Sequence, residues 1–317
     1  MQRGIMKPAM LLSLLVILLV ACSGSPAASE DPAARGGALK VITTTGQIAD
    51  AVRQVAGERV VLENLLGPGI DPHTYVATEG DIARFAEADI IFYNGLRLEA
   101  QLDRVLQQIG SRGMTVVGVG DAIEPQKLLN WEPEAGLPYD PHIWNDVELW
   151  QEAVIVVRDT LMQADPANAA YFAERSAAYL AQLDELDNYI QQRTAELPDD
   201  RRVLVTAHDA FGYFGRAYGF EVEAVQGIST EAEAGAGDIQ ALVEIIVSRQ
   251  VPAIFIETTI SPRTIEAVQA AVRSQNHEVV VGGQLYSDAM GEPGTGADTY
   301  IGMMRHNIDT IVAALGA

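Results

Sequence analysis

The chain has 317 residues, 48% of them apolar, enough to bury a sizeable core and to build two domains. Its 43 acidic residues against 21 basic ones give a net charge of −22, which disfavours nucleic acid and anionic lipid surfaces as partners. The single cysteine rules out an internal disulfide, so the fold must rest on packing.

Arg3 and Lys7 precede an apolar run from Ala9 to Ala21. A basic start, a short apolar stretch and then small residues is the grammar of a secretory signal peptide. The run falls short of the ~20 residues that a membrane-spanning helix needs. It ends Leu19-Val20-Ala21-Cys22, which resembles a bacterial lipobox, in which the cysteine carries lipid and becomes the first mature residue. The expectation is a lipoprotein signal peptide over residues 1–21 and lipidation at Cys22, with the chain anchored at the outer face of the cytoplasmic membrane. Residues 22–38 are small, polar and rich in Pro and Gly, the composition of a flexible tether.

From Leu39 onward, short apolar runs alternate with amphipathic stretches, the pattern of βα units around a mainly parallel sheet. In the first half the pattern predicts strands at Lys40–Thr44, Val60–Leu65, Asp89–Tyr93 and Thr115–Val119. Helices are expected between them at Gln47–Ala56, Thr78–Ala86 and Glu99–Ile109. The second half repeats the plan, with strands at Arg202–Thr206, Glu221–Val225, Ala253–Glu257 and Glu278–Gly282. Its helices are expected at Ala210–Tyr218, Ala236–Ser248 and Ser261–Ser274. The segment beginning at Val41 is echoed by the one at Val203, and that at Ala88 by the one at Val251, so two similar lobes are expected.

Between the halves, Asp165-Pro166 reads as an N-cap followed by proline at the first helical position. A helix pattern then runs without Gly or Pro to Leu197, and Tyr179, Leu183, Leu186 and Ile190 form an apolar stripe along it. At 1.5 Å per residue, ~32 residues make a rod of roughly 48 Å. A coiled coil fits the stripe as well, but a helix placed midway reads as a spine joining two lobes. The expected organisation is an N-terminal βα lobe over residues 39–160, a linking spine helix over 161–198 and a C-terminal βα lobe over 199–317.

The five histidines are unevenly placed. His73 ends Asp71-Pro72-His73 in a loop after the second strand, and His142 ends the identical tripeptide Asp140-Pro141-His142 in another loop. His208 follows the strand ending at Thr206, and ligands of open α/β sheets gather beyond the carboxyl ends of strands. Proline stiffens each turn, so the imidazole is presented with little freedom left to lose. The neighbouring carboxylate is placed to orient the ring through its other nitrogen. A fourth ligand is expected at Asp288, in the Gly-rich loop after the last strand. His277 and His306 lack such settings and read as surface or packing residues.

Taken in order, Gly67-Pro-Gly-Ile-Asp-Pro-His73, Asp140-Pro-His-Ile-Trp144, Thr206-Ala-His-Asp-Ala-Phe-Gly-Tyr-Phe214, Ile254-Phe-Ile-Glu257 and Ser287-Asp-Ala-Met-Gly291 resemble the zinc/manganese receptors of ABC importers, the cluster 9 group of solute-binding proteins. The resemblance covers nearly everything from Lys40 to the end. It implies two Rossmann-like lobes joined by one long spine helix, with one metal ion in the cleft between them. The family's four ligand positions match His73, His142, His208 and Asp288. The transported substrate would be one Zn2+ or Mn2+ per monomeric chain, and the partner an ABC permease. Many zinc-dedicated members carry a His-rich loop just before the second ligand, whereas Glu124–Tyr139 here holds no histidine, which speaks against a purely zinc role.

A zinc hydrolase is the competing class, since it needs a metal with an open position and a general base, for which Glu257 or Glu231 can be nominated. Four protein ligands leave little room for a substrate, so the receptor is preferred. A surface adhesin role has no separate signature in the sequence.

Overall fold

The computed structural model describes residues 37–132 and 137–317 together with Met1; the expected signal peptide, most of the tether and Cys22 lie outside the described residues. The first half holds strands β1 (Leu39–Thr43), β2 (Val60–Asn64), β3 (Ile90–Tyr93) and β4 (Thr115–Gly118) in one parallel sheet of order β2-β1-β3-β4. Helices α1 (Gly46–Ala56), α2 (Glu79–Glu87) and α3 (Asp103–Gly110) connect them. A short antiparallel hairpin, β5 (Asn130–Glu132) and β6 (Leu137–Tyr139), leads to helix α4 (Val147–Ala164).

Helix α5 (Ala169–Thr194) then crosses to the second half. It is shorter than the sequence suggests, because Asp165 adopts φ −134° and ψ 77° and Pro166–Asn168 form a separate 3-10 turn. Its 26 residues span roughly 39 Å. The expected stripe of Tyr179, Leu183, Leu186 and Ile190 is buried.

The second half contains β7 (Val203–His208), α6 (Gly212–Tyr218), β8 (Glu221–Gln226), α7 (Ala236–Arg249), β9 (Ala253–Glu257), α8 (Arg263–Ser274), β10 (Val280–Leu285) and α9 (Tyr300–Leu315). β7 pairs with β8 and β9 with β10, all parallel, and β7 lies beside β9. The two pairs form separate two-stranded ladders that lie side by side in the order β8-β7-β9-β10, which parallels β2-β1-β3-β4 of the first half. The echoes in sequence fall on β1 with β7 and on β3 with β9, the two central strands of each half.

β10 runs on past Gly282-Gly283, where the sequence suggests a stop. A Cβ on Gly282 would lie 2.5 Å from that of Ala314, and one on Gly283 2.5 Å from a methyl of Thr310. Both glycines are needed because α9 lies directly on the strand.

The buried apolar residues fall into three clusters. Ile42, Phe85, Ile91, Leu102 and Leu106 form a core on the outer face of the first sheet, and Val205, Val243, Ile246, Ile265 and Val268 do the same for the second. The inner faces share one continuous core from Leu39 and Val41 through Trp150, Leu183 and Leu186 to Phe255, Ile308 and Leu315. At ~25 cal/mol per Å2 of apolar surface this shared core contributes to both halves at once. The carboxyl ends of the strands are thereby held at fixed positions around the cleft.

Candidate metal centre

Each cluster residue sits where a regular element ends. His208 is the last residue of β7, Asp288 follows β10 by three positions, His142 precedes the 3-10 turn Ile143–Asn145, and His73 lies in the loop after β2. All four are buried, at 0–2% exposure. One ligand-type atom from each falls within 4.8 Å of every other. His73 Nε2 lies 3.2 Å from His142 Nε2 and 3.7 Å from Asp288 Oδ2. His142 Nε2 is 3.5 Å from Asp288 Oδ1, and His208 Nε2 is 3.2 Å from Asp288 Oδ2.

Both Asp288 oxygens and His208 Nε2 lack a hydrogen-bond partner despite full burial. Leaving such atoms unpaired costs about 1–3 kcal/mol each, more for a charged group, so an unmatched set needs a compensating partner. Bonds of about 2.0–2.1 Å put the ligand atoms of a tetrahedral ion about 3.3 Å apart; four of the separations, at 3.2–3.7 Å, are close to this and all lie within 4.8 Å. The donor set and its spacing therefore fit a divalent transition ion.

Two rings are turned by carboxylates behind them. His142 Nδ1 donates to Asp140 Oδ1 at 2.8 Å, and His208 Nδ1 donates to Glu257 Oε2 at 2.5 Å. A carboxylate can only accept here, so in both rings Nδ1 carries a proton, and it is Nε2 that faces the cluster and supplies the lone pair to an ion. Glu257 Oε1 also accepts the backbone N–H groups of Ala207 and His208 at 2.7 and 2.8 Å. With both oxygens committed, Glu257 is an orienting group. Glu231, the other nominated base, is exposed and accepts from Gln101 instead.

Asp71 differs from Asp140. It caps the backbone of its own tripeptide, with His73 N donating to Oδ1 at 2.9 Å, and does not bond the His73 ring. The expected carboxylate–imidazole contact thus forms in one Asp-Pro-His and not in the other.

The Asp288 loop is fixed from both halves. Ser287 O accepts from Trp144 Nε1 at 2.9 Å and from Gln47 Nε2 at 3.4 Å, and Asn307 on α9 bonds both backbone groups of Tyr286. Asn94 Nδ2 donates to Pro141 O at 2.9 Å, holding the turn that presents His142. Sequence reading missed these supports, because a lone Trp, Gln or Asn carries no spacing signal.

Burial dominates the titration of His73, lowering its pKa to about 3. Burial also opposes charge on His208, but the Glu257 and Asp288 carboxylates outweigh it and raise its pKa well above the usual value. For Asp288, burial is overcome by the three imidazoles, His208 foremost, and its carboxyl is held far below the usual range. His277 Nε2 lies against Val251 O at 3.3 Å and His306 Nε2 against Gln284 O at 2.9 Å, both away from the cluster.

A family model described as ZnuA, zinc-uptake complex component A, periplasmic, matches residues 41–314. The chain belongs to this family. The zinc-binding protein TroA of Treponema pallidum is 50% identical over 288 residues, 90% of this chain and 92% of TroA. The manganese-binding lipoprotein MntA of Bacillus subtilis is 43% identical over 277 residues, 87% of this chain and 90% of MntA. The solved structure of periplasmic TroA superposes with a TM-score of 0.86 at 48% identity, covering 88% of this chain and 99% of that one. ZnuA-family members are solute-binding transport proteins, so this chain is a binding protein rather than an enzyme.

Proposed function

We propose that the chain is an extracytoplasmic receptor that captures one divalent transition metal ion, zinc or manganese, and delivers it to an ABC permease for import. His73, His142, His208 and Asp288 bind the ion as transported substrate. Cys22 carries the lipid that holds the monomeric receptor at the outer face of the membrane, with residues 22–38 as its tether. Residues 39–160 and 199–317 act as the two lobes, linked through residues 161–198.

The observation that carries this reading is the buried convergence of three imidazoles and one carboxylate, with His208 Nε2 and both Asp288 oxygens left without a hydrogen-bond partner. An all-protein shell of four suits capture and hand-over. The naming of a zinc protein and a manganese protein among the relatives supports either ion. Three imidazoles and a carboxylate favour zinc in tetrahedral geometry, and a bidentate Asp288 would admit manganese. The test is metal uptake by cells that lack their own receptor of this kind and express this chain. Uptake should require the permease and fail with His142→Ala. Uptake that ignores His142, or proceeds without a permease, would remove the reading.

A further inference from the structure

Asp71 and Asp140 hold the same place in two identical tripeptides, yet their carboxylates are used differently. Asp140 directs Oδ1 to both the backbone N–H and the ring of His142. Asp71 gives Oδ1 to the His73 N–H, and its Oδ2 accepts two hydroxyls, Thr74 Oγ1 at 3.1 Å and Thr230 Oγ1 at 2.6 Å. Thr74 is local, but Thr230 comes from 159 residues away.

Thr230 belongs to the segment that leaves β8. Gln226, the last residue of that strand, pairs in register with His208, and Asp209 N donates to Gln226 O at 3.2 Å. The segment is therefore fastened at one end beside His208 and bonded at the other to the turn that presents His73. Glu231 adds a second bond across the cleft, accepting from Gln101 Nε2 at 2.6 Å. That bond is exposed and contributes little, whereas the Asp71–Thr230 bond is part-buried.

We infer that Thr230 and Asp71 form a clasp across the cleft that positions His73 and sets the rate at which bound metal leaves. The clasp rests on the receptor reading of the same site. His142 and His208 are each held by a carboxylate at Nδ1, while among the described residues no carboxylate hydrogen bond holds the His73 ring from behind, its one carboxylate neighbour being the co-ligand Asp288 at 3.7 Å from Nε2. His73 is steered through its backbone alone, so it is the ligand whose placement depends on Asp71. An ion held among side chains that are 0–2% exposed would have to shed a ligand before it leaves, and the clasp makes His73 the ligand whose release sets that step.

The test is stopped-flow transfer of zinc from the loaded full chain to excess chelator, with wild-type protein measured first. Thr230→Val keeps the side-chain shape and deletes the hydroxyl, so dissociation should speed up roughly three- to tenfold, the worth of one hydrogen bond. Melting of the metal-free protein, which contains the same bond, should fall by no more than that one hydrogen bond. Thr230→Ser should restore the slow rate. Unchanged dissociation in Thr230→Val, failure of Thr230→Ser to restore it, or a loss of metal-free stability well beyond one hydrogen bond would each overturn the clasp. A wild-type chain that holds no zinc would overturn the receptor reading itself, and shows in the first measurement before any variant is compared.

Discussion

Asp140 Oδ1 accepts two hydrogen bonds from one residue, the backbone N–H of His142 at 2.9 Å and its ring Nδ1 at 2.8 Å. One carboxylate oxygen thus fixes where the imidazole starts and which way it faces. Glu257 does the same for His208 with its two oxygens. Removing such a support typically costs ten- to a hundredfold in metal affinity. Asp140→Ala and Glu257→Gln are expected to weaken zinc binding by that factor while the chain still folds, as read by chelator competition. Wild-type affinity in both would mean that the rings orient themselves.

Metal affinity should fall as the pH is lowered. His73, with its pKa held down to about 3, is already neutral and offers its lone pair throughout the physiological range. His208 is the opposite case, since its raised pKa keeps a proton that an incoming ion must displace. Calorimetry in buffers of different ionisation enthalpy should show proton release on zinc binding near neutral pH. Affinity independent of pH between 6 and 8 would contradict this assignment.

Glu99 provides a separate pH dependence, of stability. Burial raises its pKa to about 7, although Thr44 Oγ1 and the N–H groups of Asn94 and Gly95 donate to it. A raised folded-state pKa gives stability that is complete below the unfolded value near 4.5 and lost as pH rises through about 7. The loss is on the order of 3 kcal/mol. Urea titrations of metal-free protein should show it between pH 5 and 8, and Glu99→Gln should flatten that slope. An unaltered slope would assign it to other groups.

The shared inner core predicts that the two halves unfold together. Leu183 on α5 is completely buried among residues of both, so Leu183→Ala should cost about 2–5 kcal/mol. Calorimetry of the metal-free protein should show one transition that shifts as a whole. Two transitions, of which only one moves, would show that the halves unfold independently despite the shared core.

Much of this was legible in the sequence where one residue type at one spacing has one physical use. Buried β-branched runs gave β1, β3, β7 and β9, and the repeated Asp-Pro-His with His208 at a strand end led to the cluster. Helix α4 went unread because Val154-Ile155-Val156-Val157 is a β-branched run, which favours a strand locally. Packing against α1 and α5, and an Asp146 side chain accepting from Glu148 N and Leu149 N, override that preference. Helix α9 and the extension of β10 through two glycines depend on each other, and neither shows without the other in place. The common core was hidden for the same reason: burial patterns tell which face is covered, not by what.

Export can be checked independently of the site. Mature protein should begin at Cys22 and carry lipid, and Cys22→Ser should release it from membranes or block its processing. Intact residues 1–21 on the wild-type protein in cells would contradict the anchoring.

The most direct test of the whole account is a titration of the purified chain with zinc, alongside alanine variants of all five histidines and of Asp288. One ion per chain is expected, with binding weakened by several kcal/mol in His73→Ala, His142→Ala, His208→Ala and Asp288→Ala, since each opens a closed shell. His277→Ala and His306→Ala, whose rings lie against backbone carbonyls elsewhere, should bind as wild type. Equal losses across all five histidines, or more than one tight ion per chain, would show binding at the surface and contradict a single buried centre.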